Sequence, residues 1–406
     1  MPARTENGVL RIGFVGAGAV NFGGGEGPWD HASRLEKIGG IRVVGIADPD
    51  TARAHKALAA RRSGRASAMY AEATVYADFH SMLGQAHPDA VFIGVPPAAH
   101  AGTRPPKDIE LACAAASVPM FIEKPLAAVP PEELAPVAEA IRKAARKGLV
   151  VSVGYMFRYS QAVRKMQEIL SETPGEVRAV VARYNCAYSQ IVKPEWWDIR
   201  RTGGPIVEQA THFCDLARLF GGEVDLSSVQ AVAIDPASDK AALADTPVGA
   251  NGRPLDQGVP ARYHVPRSTA AVWKFNRGAV GSLTHATLLH GAKYESEFEV
   301  WGDGLRLVLQ DPYGRCRLLV RRPHKEKTEV LGDFGGDDPY LTEDTAFVEA
   351  VRAAIASPGK AAGRAAKAIL PPGIRSTYAD GFKTHEFAWA IRRAAGRGSC
   401  RKSRPC

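Results

Sequence analysis

Apolar positions in the first third of the chain come in short runs, and each run stops at residues that turn the backbone. Leu10–Val15 stops at glycines, Ile41–Ala47 at Asp48, Asp89–Val95 at Pro96-Pro97, Val118–Ile122 at Glu123-Lys124-Pro125, and Leu149–Val153 at Gly154. The stretches between them, around His31–Lys37 and over Thr51–Ala60, Lys107–Ala116 and Glu132–Ala145, read as helices. Apolar runs alternating with helices predict a parallel sheet with right-handed crossovers. The polar residues fall at strand C-terminal ends, where open α/β sheets bind ligands.

After residue 153 the pattern changes. Val177–Tyr188, Val229–Ile234, Ala270–Asn276, Ala279–Leu288, Ser296–Trp301, Arg306–Gln310 and Cys316–Arg321 read as strands. Tyr159–Leu170, His212–Phe220, Leu341–Ile355 and Ser376–Arg392 read as helices, and the last is expected to return toward the first domain. Phe275-Asn276-Arg277-Gly278-Ala279 has the turn chemistry of a hairpin. The expected fold class is an α/β Rossmann-type N-terminal domain followed by an α+β domain on a mainly antiparallel open sheet. Asp235–Gly258 and Ser357–Gly373, rich in Ala, Gly, Pro and Asp, read as loops.

Composition narrows the class. The chain has 406 residues, enough for two domains, and 45% hydrophobic with 23% charged residues makes it globular. No apolar run approaches the ~18 residues of a membrane span, and no signal-peptide pattern precedes Leu10. A cytoplasmic location without a membrane partner is expected. Cys113, Cys186, Cys214, Cys316, Cys400 and Cys406 show no CxxC spacing, so thiols are expected rather than zinc or disulfides. Of the net charge of +9, six positives lie in a tail over 392–406 that holds no acid. That tail is expected to be solvated and disordered. No aromatic interleaving or nucleic-acid motif accompanies the charge, so no nucleic-acid partner is expected. The mildly basic remainder suits an anionic cofactor.

Gly13-Phe14-Val15-Gly16-Ala17-Gly18-Ala19-Val20-Asn21 follows a strand, as a dinucleotide loop does, but carries Asn21 where a GxGxxG pattern has its third glycine. A glycine-rich insertion, Phe22–Gly27, follows. Asp48 can accept from both ribose hydroxyls of an adenosine, or cap the helix at Thr51. Its charge favours NAD, while Arg53 keeps NADP open. Lys124 can steady a developing alkoxide, or simply pair with Glu123 at the surface. Glu208, His212 and Asp215 share one face if their helix begins near Glu208. A His there can move a proton, and a metal site is disfavoured because no second His is near in sequence.

Four features recur in one order: Gly13–Gly18, Pro96-Pro97 with His100, Glu123-Lys124-Pro125, and the Gly203-Gly204 to His212 and Asp215 segment. In these the chain resembles the glucose–fructose oxidoreductase / inositol dehydrogenase (Gfo/Idh/MocA) family over nearly its whole length. The resemblance implies an NAD(P)-binding Rossmann domain over 1–153 and a substrate and oligomerisation domain over 154–391. It implies a catalytic, substrate-binding role for Lys124 and proton transfer at His212. The family's Asp and Gly before that His are here Glu208 and Ala210, so Glu208 stands as the third catalytic candidate. Cofactor contacts are expected at Gly16, Gly18, Ala19, Val20, Asp48, Pro96, His100, Glu123 and Lys124. Gly154–Tyr159 and Lys193–Arg201 should line the substrate cleft, with Lys124, Arg158, Trp197, Arg200 and His212 as binding residues; a core Trp pair and solvated arginines are equally open. The implied activity is hydride transfer between NAD, with NADP open, and a secondary alcohol or ketone of a polyol, sugar or sugar acid. An NAD-dependent glycosidase of the same fold and a non-catalytic NAD(P)- or sugar-binding regulator are the alternatives. Alternating strands such as Ala279–Leu288 would leave one sheet face apolar, and by the resemblance a homodimer or homotetramer is expected through that sheet.

Overall fold

A computed structural model describes residues 8–25, 28–234, 236, 248–249, 252–357 and 373–400. Two compact units emerge, Met1–Tyr159 with Asp338–Phe382, and Ser160–Asp337 with Lys383–Cys406. The first unit is thus discontinuous, and its boundary lies six residues beyond the 153 of the sequence reading. The proposed loops Asp235–Gly258 and Ser357–Gly373 lie largely outside the described residues.

The first unit contains β1 (Leu10–Val15), α1 (Ala19–Phe22), α2 (His31–Ile38), β2 (Ile41–Ala47), α3 (Thr51–Arg62), β3 (Thr74–Tyr76), α4 (Phe79–Ala86), β4 (Ala90–Ile93), α5 (Ile109–Ala116), β5 (Met120–Ile122), α6 (Pro131–Arg146) and β6 (Val151–Val153). The strands form one sheet in the order β3-β2-β1-β4-β5-β6, every neighbouring pair parallel. This is the doubly wound order, and its reversal between β1 and β4 opens a crevice at the strand C-terminal ends. Aspartates start the helices: Asp30, Asp50 and Asp78 each accept a backbone N–H in the first turn of α2, α3 and α4. Both sheet faces are apolar, as a covered parallel sheet requires. Val91, Met120 and Val151 pack with Met82, Cys113 and Leu134 from α4 to α6. Phe14, Phe92 and Phe121 pack on the other face with Leu35 and Leu58. A returning helix completes that second layer with Phe347 and Val351.

The second unit begins with α7 (Gln161–Glu172) and β7 (Ala179–Ala187). It continues through α8 (Ile199–Thr202), α9 (Pro205–Glu208) and α10 (Thr211–Gly221). β8 (Val224–Ala233), β9 (Ser268–Phe275), β10 (Val280–Leu289), β11 (Tyr294–Trp301), β12 (Arg306–Gln310), β13 (Arg317–Arg321) and β14 (Glu329–Asp333) follow. They make an eight-stranded sheet in the order β14-β13-β12-β11-β7-β10-β9-β8. Only β7 and β10 pair parallel, so the sheet is mainly antiparallel. β9 and β10 join at Asn276-Arg277-Gly278: Phe275 N–H bonds the Ala279 carbonyl at 2.8 Å, and Gly278 has φ +89°. β9 alternates strictly, burying Thr269, Ala271, Trp273 and Phe275 and exposing Ala270, Val272 and Lys274. Val181, Val272, Val280, Leu288 and Trp301 remain exposed.

After β14 the chain rejoins the first unit through α11 (Pro339–Ala356), the returning helix above. The last helix, α12 (Tyr378–Cys400), spans the division. The tail expected to be disordered over 392–406 is therefore helical to Cys400, and 401–406 lie outside the described residues. Among the described residues no helix is long and apolar enough to cross a membrane.

Gly281 of β10 lies opposite Trp273 of β9. A Cβ at 281 would stand 2.2 Å from the indole. Gly281→Val should therefore lower stability by about 1–3 kcal/mol through overpacking, read as a lower midpoint in thermal unfolding.

Candidate cofactor and catalytic sites

The glycine loop closes tightly on β4. Gly16 has φ +93°, and a Cβ there would lie 2.8 Å from the Gly94 carbonyl oxygen, so only glycine fits. Gly18 faces open space on the side where a Cβ would project. The amides of Ala19 and Val20 precede the first intrahelical bond of α1, from Asn21 N–H to the Gly18 carbonyl at 3.1 Å. Helix α1 stops after one turn at Gly23, and α2 starts only at His31. Arg61 of α3 closes this interruption by bonding Asp30, Ser33, Glu36 and the Phe22 carbonyl.

Asn21 takes the place of the third glycine. Its side chain is fully buried and donates to the Val15 and Gly16 carbonyls at 3.0 and 2.7 Å. The same amide presses on Gly94, where a Cβ would come within 2.6 Å of it. The loop is thus shaped by a side chain rather than by close helix–strand packing. A cradle only glycine can form, followed by helix-start amides that precede the intrahelical bonds, fits a pyrophosphate.

Asp48 ends β2 and is buried. Its Oδ2 accepts from Ala17 N–H at 2.7 Å and its Oδ1 from Asp50 N–H at 2.8 Å. The half-exposed Arg53 guanidinium bonds both oxygens. Asp48 therefore joins the glycine loop to the start of α3, and a ribose reaching it would share the carboxylate with Arg53.

Glu123 and Lys124 follow β5 and are both half-buried. Glu123 Oε2 accepts Lys124 N–H at 3.1 Å, and Oε1 lies 3.1 Å from His31 Nε2. The other ring nitrogen of His31 lies 2.9 Å from both oxygens of Asp344 on α11. Burial disfavours a charged His31, but Asp344 and Glu123 outweigh it and push the imidazole up to about 10. Glu343 beside Asp344 is fully buried with neither oxygen hydrogen-bonded, and burial pushes its carboxyl well up. Pro96 is exposed on the loop after β4. His100 is buried and paired through Nδ1 with the buried Glu110, which also accepts Ala101 N–H at 3.0 Å. His100 so ties that loop to α5.

In the second unit the helix starts later than the shared-face reading requires. Glu208 ends α9 and His212 lies in the first turn of α10, because Gln209 and Ala210 both fold back to the Pro205 carbonyl. Glu208 accepts the Trp196 indole N–H at 3.0 Å. Asp215 is turned to Thr384 of α12 at 3.0 Å. His212 is buried, with its ring 6.3 Å from that of Tyr313.

The proposed substrate residues divide. Trp197 is a core residue, 4% exposed, with its indole N–H on the Ile191 carbonyl. Arg158, in the first unit, is 7% exposed and holds the Arg375 carbonyl at 2.9 Å with Asp380 3.7 Å away. Both brace the fold. Arg200 is half-exposed, bidentate on Asp198, with its guanidinium 4.2 Å from the Tyr263 ring centre. No group of His, Cys, Asp and Glu suited to a metal occurs among the described residues.

Sequence reasoning missed three polar groups that shape these sites: Asn21, His31 with Asp344, and Gln209. Gln209 Oε1 lies 3.0 Å from Nε2 of the buried His285, whose charged form burial disfavours, down to about 3. Only Asn21 carried a signal, as the break in the glycine pattern.

Restoring that glycine should do harm. Asn21→Gly takes the side-chain donor from the Gly16 carbonyl and one of two donors from the Val15 carbonyl, which also accepts Gly94 N–H at 2.9 Å. It should cost about 1–3 kcal/mol of stability and weaken NADH binding, measured by denaturant unfolding and nicotinamide fluorescence. Unchanged binding would mean that Asn21 does not shape the cradle.

Residues 10–155 match the family described as "Oxidoreductase family, NAD-binding Rossmann fold", and residues 158–305 match the "Putative oxidoreductase C terminal domain". Uncharacterised protein C12C2.04 of Schizosaccharomyces pombe is 34% identical over 95% of this chain and 97% of its own length. Inositol 2-dehydrogenase of Acidothermus cellulolyticus is 33% identical over 55% of this chain and 57% of its own. Among solved structures, levoglucosan dehydrogenase in complex with NADH and levoglucosan superposes with a TM-score of 0.67 at 21% identity, covering 96% of this chain and 97% of that one. The parallel sheet with its glycine cradle, the mainly antiparallel second sheet and these matches agree: the chain belongs to the Gfo/Idh/MocA family of NAD-binding oxidoreductases.

Proposed function

We propose that this oxidoreductase transfers hydride between NAD and a CH–OH group, interconverting a secondary alcohol and a ketone on a polyol, sugar or sugar acid. The observation that carries this reading is Lys124 at the end of β5, one strand from a crevice whose loop only glycine can form. Asp48 marks the adenosine side of that crevice, so β4 and β5 flank the nicotinamide side. Bound NAD supplies the hydride acceptor. The Lys124 ammonium donates to the substrate oxygen and steadies the alkoxide charge that grows in the transition state. His212 takes the hydroxyl proton during oxidation and returns it during reduction. Glu208, which accepts the Trp196 indole N–H, keeps a carboxylate at the turn that opens α10.

The substrate class rests on the inositol 2-dehydrogenase relatives and on the likeness to the levoglucosan dehydrogenase. The Trp197 indole N–H and a terminal nitrogen of Arg158 are engaged within the fold, which supports the half-exposed Arg200, together with Lys124, as the substrate-facing cations. The exposed apolar residues of the second sheet support a homodimer or homotetramer through that face. Light scattering on the purified protein should give a mass of two or four chains; a monomer at micromolar concentration would refute the assembly.

Titration with NADH and NADPH, followed by nicotinamide fluorescence, tests the cofactor assignment. NADH should bind tighter, and Arg53→Ala should widen the preference by removing the group that can meet a 2′-phosphate. Lys124→Ala should lower kcat on a polyol or sugar substrate by about 10²-fold or more. An unaltered kcat would remove Lys124 from the chemistry.

A further inference from the structure

One buried cation in the first unit meets two carboxylates. His31 is 4% exposed, and its ring packs against both Phe92 and Phe121, with centroids 5.1 and 5.0 Å away, while those two rings stack on each other at 5.2 Å. Its two nitrogens face Asp344 and Glu123. Asp344 belongs to α11, 313 residues away in sequence, and is fully buried. Glu123 is fixed on every side: Oε1 by His31, Oε2 by the Lys124 amide, and its carboxylate flank by Gly154, where a Cβ would lie 3.0 Å away.

We propose that Asp344, His31 and Glu123 form a carboxylate–imidazolium–carboxylate bridge that sets the nicotinamide half of the cofactor site, His31 and Asp344 being positioning residues that act through Glu123. This rests on the NAD-dependent reading above. Asp344 holds His31 by both oxygens, so the imidazolium cannot turn. The imidazolium fixes Glu123, and Glu123 fixes the peptide of Lys124. The strand end beside the crevice is thereby locked from behind by a helix that joins the unit only after the chain has built its second sheet. Removing either end of such a bridge leaves a buried charge without compensation. The adenosine end relies on separate bonds, those of Asp48 with Ala17, Asp50 and Arg53.

That separation supplies the test. ADP carries the adenosine and pyrophosphate but no nicotinamide half. NADH and ADP affinities are measured for wild type, His31→Gln and Asp344→Asn, with thermal unfolding alongside. Both variants should weaken NADH by about tenfold or more, the equivalent of one lost charged hydrogen bond, while ADP stays within about twofold. Equal weakening of both ligands would make the bridge merely structural, and unchanged NADH binding would sink it outright. Wild type that fails to bind NADH would overturn the dehydrogenase reading as well, a result distinct from normal wild-type binding with an unmoved ratio.

A pH series covers the case in which the variants do not fold. The groups facing His31 are Asp344 of α11 and Glu123 after β5, with Arg34 of α2, Asp338 and Glu343 behind them. His31 holds its proton until about pH 10. The bridge is therefore intact below that pH and fails as pH rises through it. In a Lys124→Arg background, whose guanidinium stays charged across this range, the NADH-to-ADP affinity ratio should fall as pH passes about 10. A flat ratio would overturn the proposal.

Discussion

Where β1 gives way to the glycine loop, its backbone runs against the end of β4 with no room for a side chain. Gly16 meets the Gly94 carbonyl, and Gly94 in turn meets the Asn21 amide. This three-way fit settles the shape of the loop. It turns the Ala17 amide toward Asp48, and so links the strand-order reversal to the end of β2. A Cβ at either glycine would push β1 from β4 and detach the loop from Asp48 together. Asn21 belongs to the fit as more than filler, since it bonds the Gly16 carbonyl and shares the Val15 carbonyl with the Gly94 N–H. A third glycine is one way to let a helix approach the sheet; a buried amide that spans the gap is another.

The first unit buries Asp48, Glu110, Glu343 and Asp344, and each acid is handled differently. Glu110 meets His100 and an amide, Asp48 meets Arg53 and two amides, and Asp344 meets His31. Burial of an ion costs more than its pairing returns unless geometry is good, so these pairs are better understood as fixing positions than as adding stability. Glu343 shows the other solution. Neither oxygen has a hydrogen-bond partner among the described residues, and burial pushes its carboxyl well up, toward the neutral form. The result is a set of strand ends held by ion pairs from α2, α3, α5 and α11.

Most of this architecture is legible from sequence where one periodicity dominates. The apolar runs of β1, β2, β4, β5 and β6 end within a few residues of their turns, and the alternation of β9 and β10 shows their one-sided burial. β3 is too short for any period and half-exposed, and β14 is an exposed edge without alternation; neither carried a pattern. The break between α9 and α10 was hidden because Gln209 and Ala210 are ordinary helix residues. It arises from two amides sharing the Pro205 carbonyl. Site residues at strand ends were legible by type and position, as with Gly16, Asp48 and Lys124. Asp344 was not, because its helix reads as a plain amphipathic segment and its partner lies near the other end of the chain.

Residue type states what a side chain can do, and its bonds state what remains for it to do. His100, Arg158 and Trp197 all match a ligand-binding expectation, and His100 Nδ1, one terminal nitrogen of Arg158 and the Trp197 indole N–H are already bonded within the fold, where those atoms brace the chain. They can contribute shape but little recognition. Arg200 is the intermediate case. Its guanidinium is bidentate on Asp198 and stacked on Tyr263, which fixes its direction while cancelling its charge. A neutral pair presents donors without a strong positive field, and donors suit hydroxyl groups better than they suit a carboxylate, which needs compensating charge as well as hydrogen bonds. The basic appearance of Lys193–Arg201 therefore overstates its pull on an anion, and within the proposed substrate class it weighs toward a neutral polyol or sugar over a sugar acid.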